Sequence, residues 1–377
     1  MSTQLDIYQQ VLALSFEMNS TAADTGTVEQ LQTALAGNLG ALLTNTAFAG
    51  TDSWEVAWGP VVWQSPYSNV TDQAVAVCYN ETQDYYVVPI AATNGHSAFD
   101  VFLEDLATTP AFMQANPATG GGTLSYGNYV ALQVLLNLTS NGQTLSAYLG
   151  STASTTSNLV FSGHSLGGGL APLLAYALYP KGTSGSGWNN VYTFPTAGPT
   201  TADATFQAAY NAVYQPVGTS GYQRWNVNQF NGRDLVPHAW STCSDSVGPN
   251  LNDVTASIIG EKFGMYYTNT NMSIEVEALR NMAEGLAGGG SNPYEPVNNN
   301  KLFTADQQNG QITTNAMLGT EILYQHVTAY IAEFGLSTLF SSGAVESTIH
   351  PPLLSLVHGV AGTADLRAVS ERQSSAA

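Results

Sequence analysis

Leucines recur at Leu31, Leu35, Leu39 and Leu42, the step of three to four residues that lines one face of a helix. Residues 1–50 therefore read as a helical lead-in that packs on the core. The pattern then changes: residues 54–58, 73–79 and 85–91 are β-branched, aromatic and partly alternating, with turn-forming residues between them, which predicts three strands. Beyond these the chain alternates, with helices predicted over 99–106, 126–136, 166–179 and 202–213 and strands over 159–162, 191–194 and 224–228. Alternation of this kind predicts an α/β fold, a mostly parallel central sheet covered by helices on both faces. The rhythm breaks between about 245 and 320, where Gly288-Gly289-Gly290, Asn298-Asn299-Asn300 and an amphipathic stretch near 274–286 read as a cap-like insertion. Past Phe334 the pattern thins, Pro351-Pro352 blocks helix, and the end from Arg367 is polar. The expected division is a lead-in over 1–50, an α/β domain over 51–345 that contains the insertion, and a tail over 346–377.

Composition narrows the function. Of 377 residues 44% are hydrophobic, ample for a packed core. A net charge of −19, from eight Lys and Arg against 27 Asp and Glu, argues against nucleic acid or an anionic membrane as partner. The polar surface is then mostly uncharged, which suits an extracellular protein, although the first ten residues have neither the basic nor the apolar region of a secretory signal. No stretch approaches the roughly 18 apolar residues of a transmembrane helix. Cys78 and Cys243 fit one disulfide or two free thiols and have no metal-ligand or redox spacing. Glycosylation sequons at Asn19, Asn69, Asn80, Asn137 and Asn271 follow from the abundance of Asn, Ser and Thr alone.

The chemistry gathers at Gly163-His164-Ser165-Leu166-Gly167. A G-x-S-x-G match is weak evidence in a chain with 36 glycines. Its setting is stronger: Leu159, Val160 and Phe161 read as a buried strand ahead of it, and Leu166, Leu170, Leu173, Leu174 and Leu178 recur at helical spacing after it. A serine held on a sharp strand-to-helix turn, with no room for a Cβ two residues away on either side, is a nucleophile elbow. Its hydroxyl needs a histidine to take the proton and a carboxylate to orient that histidine, in the chain order Ser, Asp or Glu, His. Asp234 lies in a Gly-containing loop directly after a strand-like run, whereas Asp203, Asp245 and Asp253 fall in helical or insertion segments. Among six histidines, His96 and His164 break the order, His238 is too close to Asp234, and His350 and His358 lie in the tail. That leaves His326, at the opening of the last strongly helical stretch.

Gly163-His164-Ser165-Leu166-Gly167-Gly168-Gly169-Leu170-Ala171-Pro172, then Val191-Tyr192-Thr193-Phe194, then Asn231-Gly232-Arg233-Asp234-Leu235-Val236-Pro237-His238, then Gln325-His326 with Tyr330 resemble, in order and spacing, the class 3 lipases. These are the fungal-type triacylglycerol lipases and their bacterial relatives, and Trp54-Glu55-Val56-Ala57-Trp58-Gly59-Pro60 is similar to the bacterial branch. The resemblance spans about 54–334. It implies an α/β-hydrolase fold and an oxyanion hole from the Leu166 amide together with Thr93, although Ala91 and Ala92 stand where the family has Arg and Gly. It also implies a lid just beyond, for which Phe99, Phe102, Leu103, Phe112 and Met113 ahead of Gly120-Gly121-Gly122 are the candidates; the same segment also fits an ordinary surface helix. The expected activity is carboxylic-ester hydrolysis on acylglycerols or similar esters, including those at an oil–water interface, without a cofactor or metal. Soluble-ester, feruloyl-ester, polyester and phospholipase A1 activities fit the same fold. A non-catalytic binding protein is the competing class, and a peptidase is disfavoured for want of specificity-pocket signatures.

Overall fold

The computed structural model describes residues 4–66, 68–94, 96, 108, 114–115, 120–244, 247–251, 281, 284–308 and 315–340. The candidate lid residues Phe99, Phe102, Leu103, Phe112 and Met113, most of the expected helix at 274–286, His350, His358 and the tail lie outside them.

Two capped helices open the chain. Helix α1 (Ile7–Glu17) starts where the Asp6 carboxylate accepts the Gln9 N–H and the Gln9 side chain accepts the Asp6 N–H. Thr27 and Gln30 form the same reciprocal pair at the start of α2 (Val28–Leu43), whose buried residues include Leu31, Leu35, Leu39 and Leu42.

A seven-stranded sheet follows, its strands lying side by side in chain order: β1 (Trp54–Trp63), β2 (Gln73–Asn80), β3 (Tyr85–Ile90), β4 (Asn158–His164), β5 (Asn190–Thr196), β6 (Asn228–Asn231) and β7 (Asn299–Phe303). The first three pair antiparallel, and every later neighbour from β3 to β7 is parallel. Side chains alternate across it, so the sheet divides the interior into two cores. Ala74, Ala76, Cys78 and Val160 face the core built with α1, α2 and the C-terminal helix residues Tyr330, Ile331 and Phe334. Val75, Val77, Leu159 and Phe161 face the core built with α3 (Tyr126–Asn137), α4 (Leu166–Leu178) and α5 (Ala204–Val213).

Two expectations need correction. The strand expected at 224–228 is two pieces: Arg224–Trp225 pairs with Val217–Gly218 in a separate ribbon, and the sheet strand is β6. Between them Asn226 sits at a φ of 64°, and its amide replaces a ladder partner, accepting the Thr193 N–H and donating to the Gln215 carbonyl. The segment read as an insertion also supplies the edge strand β7. Its sequence, Asn-Asn-Lys-Leu-Phe, has no buried residue and carries a lysine, which suits the last strand of the sheet among the described residues.

Cys78 and Cys243 are not joined in a disulfide. Two of the sequon asparagines, Asn19 and Asn80, are buried in the fold. Among the described residues no helix is long and apolar enough to cross a membrane.

Candidate active site

Strand β4 ends at His164, α4 begins at Leu166, and Ser165 between them is held at φ 59° and ψ −126°, a conformation that L-residues rarely adopt. The glycines explain how the turn closes. A Cβ on Gly163 would lie 2.2 Å from the backbone of Gly167, and one on Gly167 would lie 2.5 Å from the Ile90 carbonyl oxygen and 2.8 Å from that of Ala91. A Cβ on Gly168 would meet the Thr196 carbonyl at 2.4 Å. Strand ends, elbow and α4 are thus packed backbone to backbone, with the first amides of α4 beside Ser165.

Three side chains join in series. His326 Nε2 lies 2.8 Å from Ser165 Oγ, and His326 Nδ1 lies 2.9 and 3.0 Å from the two oxygens of Asp234. With Nδ1 donating to the carboxylate, Nε2 is left to accept the serine proton. Asp234 also accepts from the Tyr330 hydroxyl at 2.8 Å and from the Val236 N–H at 3.0 Å, and Tyr330 Oη in turn accepts the Asn231 N–H. Burial, with Asp234 beside it, holds the Tyr330 hydroxyl well above its ordinary pKa, so it stays a donor. Ser165, His326 and Asp234 have no exposed surface. Arg233 turns away from its neighbour Asp234 and donates to the Ala305 carbonyl. His238, four residues past Asp234, is buried in its own loop, edge-on to Phe230.

His326 does not open a helix. It lies inside one, in a wide π-helical turn (Tyr324–Thr328) between α6 (Asn315–Leu323) and α7 (Ala329–Glu333). In that turn the Ala329 N–H reaches back to the Tyr324 carbonyl, five residues away, and so leaves the Gln325 carbonyl. Side chains take up the displaced groups: Asn231 Nδ2 donates to the Gln325 carbonyl at 3.0 Å, and His164 Nε2 donates to the His326 carbonyl at 2.7 Å.

His164 thereby acquires a position that its place in the elbow does not announce. Its Nδ1 faces the Thr196 hydroxyl at 3.0 Å, and burial, reinforced by the adjacent His326, pushes its pKa well below the usual histidine value. It is a neutral ring that ties the elbow to the histidine turn. The sequence carries no signal for this bond, which spans 162 residues.

Thr93 is buried, two residues past Ala91, whose carbonyl borders Gly167. Leu166 is buried as the first residue of α4. Among the described residues no group of His, Cys, Asp and Glu is arranged to hold a metal ion.

Comparison with known proteins gives a consistent picture. The family described as Lipase (class 3) matches residues 91–243. The crystal structure of M37 lipase superposes with a TM-score of 0.66 at 21% identity, covering 94% of this chain and 99% of that one, and so shares the fold. The propeptide complex of Rhizomucor miehei lipase gives a TM-score of 0.41 at 17% identity, covering 66% of this chain and 69% of that one. The lipase from Rhizopus microsporus var. chinensis gives 0.39 at 14% identity, covering 65% and 73%. A search of curated proteins found no match. Residues 91–243, the stretch that carries the elbow and Asp234, match the class 3 lipase family, and the chain has the α/β-hydrolase fold.

Proposed function

We propose that this protein is a serine carboxylic-ester hydrolase that acts on acylglycerols or similar water-insoluble esters, with Ser165 as nucleophile, His326 as general base and acid, and Asp234 as the group that orients His326. The observation that carries the reading is the unbroken hydrogen-bonded series from Asp234 through His326 to Ser165 Oγ, set on a strained elbow. On this reading Ser165 Oγ attacks the ester carbonyl while its proton passes to His326 Nε2. The tetrahedral oxyanion is received by the Leu166 amide and Thr93. Collapse breaks the bond to the alkoxide, which leaves with the proton from His326, and the acyl group stays on Ser165. Water, deprotonated by His326, then attacks the acyl-enzyme and releases the acid.

Access to the nucleophile favours a water-insoluble substrate. Ser165 has no surface in contact with solvent, so an ester reaches it only after a covering segment moves. An apolar segment rich in Phe, such as that around Phe99, Phe102, Leu103, Phe112 and Met113, would leave the protein most readily for an oil surface. The charge excess of −19 favours neutral lipid over an anionic surface and, with few lysines and arginines, suits an extracellular location.

The test is labelling by a fluorophosphonate together with hydrolysis of esters from acetyl to palmitoyl, a phospholipid and a feruloyl ester. Stoichiometric labelling of Ser165, with turnover of medium or long acyl esters of glycerol, is the expected result. A folded protein that neither reacts nor hydrolyses any ester is a binding protein on a hydrolase fold. Turnover confined to short soluble esters moves the assignment to an esterase.

A further inference from the structure

Strand β3 ends at Ile90, and the four residues after it, Ala91-Ala92-Thr93-Asn94, run past the elbow. The Ala91 N–H still finds the Ala74 carbonyl of β2 at 3.0 Å, and the Asn94 side chain donates to the Thr71 carbonyl at 2.7 Å. Between those two anchors, Ala92 is held from outside the sheet. Asn19, on the turn that ends α1, is 2% exposed and presents its amide edge-on to the Ala92 backbone. Its Oδ1 accepts the Ala92 N–H at 2.7 Å and its Nδ2 donates to the Ala92 carbonyl at 3.0 Å. The two bonds fix the amide orientation, because a flip would oppose donor to donor and acceptor to acceptor. One side chain thus does for Ala92 what a neighbouring strand does for a ladder residue.

The same turn of α1 is fastened to the elbow strand. Ser15 Oγ donates to Ser162 Oγ at 3.1 Å, and the Phe16 ring lies 4.8 Å from the His164 ring. Ser162 and His164 are the third and first residues before the nucleophile. Consecutive turns of one helix therefore hold both the strand that delivers Ser165 and the loop that carries Thr93. The alanines at 91 and 92 have no polar side-chain atom with which to brace that loop themselves.

We infer that Asn19 is a positioning residue for the oxyanion loop: through its paired bonds to Ala92 it sets where Thr93 stands relative to Ser165. The inference rests on the reading of Thr93 as an oxyanion donor. Removing one such donor outright lowers kcat by roughly 10²–10³. Letting the loop that carries it drift should cost less, about 10- to 100-fold.

The experiment compares Asn19→Ala, Asn19→Asp, Thr93→Ala and the Asn19→Ala/Thr93→Ala double variant on a soluble short-chain ester. Each is assayed well below its own unfolding temperature, with the amide exchange of Ala92 followed by NMR or mass spectrometry. Asn19→Ala should lower kcat by about 10- to 100-fold, change KM by less than about threefold and speed exchange at Ala92. The acid limb of its kcat/KM profile should stay where it is in the unmodified protein, since Asp234, His326 and Ser165 are untouched. The double variant should be little worse than Thr93→Ala alone, because once the donor is gone its placement no longer matters. Asn19→Asp keeps the shape and the acceptor but, once ionised, loses the donor to the Ala92 carbonyl. Its activity relative to the unmodified protein should therefore recover as the pH falls and the carboxyl regains its proton. An active, folded enzyme in which Asn19→Ala and Asn19→Asp both keep kcat within twofold overturns this inference alone. So do losses at Asn19 and Thr93 that simply multiply. A protein that neither reacts with a fluorophosphonate nor turns over any ester overturns the functional reading, and this inference with it.

Discussion

At the scale of single residues, the site is a set of buried polar groups each of which has been given a partner, and the cost of removing one depends on what it leaves behind. Ser165→Ala and His326→Ala should each lower kcat by roughly 10⁶, with the double variant little worse, because the two act as one unit; Asp234→Ala should cost on the order of 10⁴. Steady-state kinetics on a soluble ester check this, and an active His326→Ala would reassign the base. Tyr330→Phe is a milder probe. It deletes the donor to Asp234 and leaves the buried Asn231 N–H without its acceptor, a loss of about 1–3 kcal/mol. A lower unfolding midpoint and a kcat reduced about tenfold are expected. His164 adds a pH dependence whose sign follows from its depressed pKa. Below about pH 6.5 the unfolded chain takes up a proton that the folded ring refuses, so the unfolded state binds more protons and stability rises with pH through that window. The unmodified protein should lose stability as the pH falls from 7 to 5. His164→Gln, though less stable at pH 7, should lose less of it over the same interval, as urea midpoints at each pH will read.

At the scale of elements, α1 is the piece whose importance exceeds its sequence signal. Glu17 closes it, and burial, opposed only by a hydrogen bond from Ser20, pushes its carboxyl up to about 7 from an ordinary 4.5. The folded state then keeps a proton that the unfolded chain has already released, so this group lowers stability as the pH rises from about 4.5 to 7. Glu17→Gln removes that penalty. Because the side chain retains some solvent contact, the gain at pH 8 should be about 2 kcal/mol rather than the full value of the shift, and it should vanish near pH 4. Equal midpoints for the two proteins at pH 8 would contradict it. The sequence made the helices and apolar strands legible because their burial is written as periodicity: Leu31 to Leu42 in α2, and Leu159 to Phe161 in β4. It concealed β6, Asn-Gln-Phe-Asn, whose buried side chains are mostly polar and satisfied by distant partners, and β7, which lies at an edge. At the site, chain order singles out Asp234 and His326, the two side chains that lie in series with Ser165. Asn19, Asn231 and the backward bond of His164 were illegible for a common reason: each acts on a backbone group 73 to 162 residues away, and an isolated Asn or His in sequence says nothing about a partner that distant.

At the scale of the whole molecule, a nucleophile without solvent contact and a strongly anionic, lysine-poor exterior bear on how the enzyme meets its substrate. On the proposed reading an apolar segment covers Ser165, and in water each large apolar side chain exposed by moving it costs on the order of 1.5–3 kcal/mol. Five large apolar side chains, Phe99, Phe102, Leu103, Phe112 and Met113, stand between Thr93 and three glycines in the sequence. At an oil surface that cost disappears, since the side chains exchange protein for hydrocarbon. An equilibrium that is closed in water by a few kcal/mol is then inverted by the interface alone. Activity on tributyrin should therefore jump as the ester passes its solubility limit. Phe102→Ser combined with Phe112→Ser should flatten the jump while sparing turnover of dissolved esters, because the variant gains little from oil and still carries an intact Ser165, His326 and Asp234. The jump should persist on neutral droplets and weaken on droplets coated with anionic lipid, recovering with added salt as the repulsion from the −19 charge is screened. A smooth hyperbolic curve through the solubility limit in the unmodified protein would reject interfacial opening, and the buried nucleophile would then be reached by a motion that dissolved substrate can itself select.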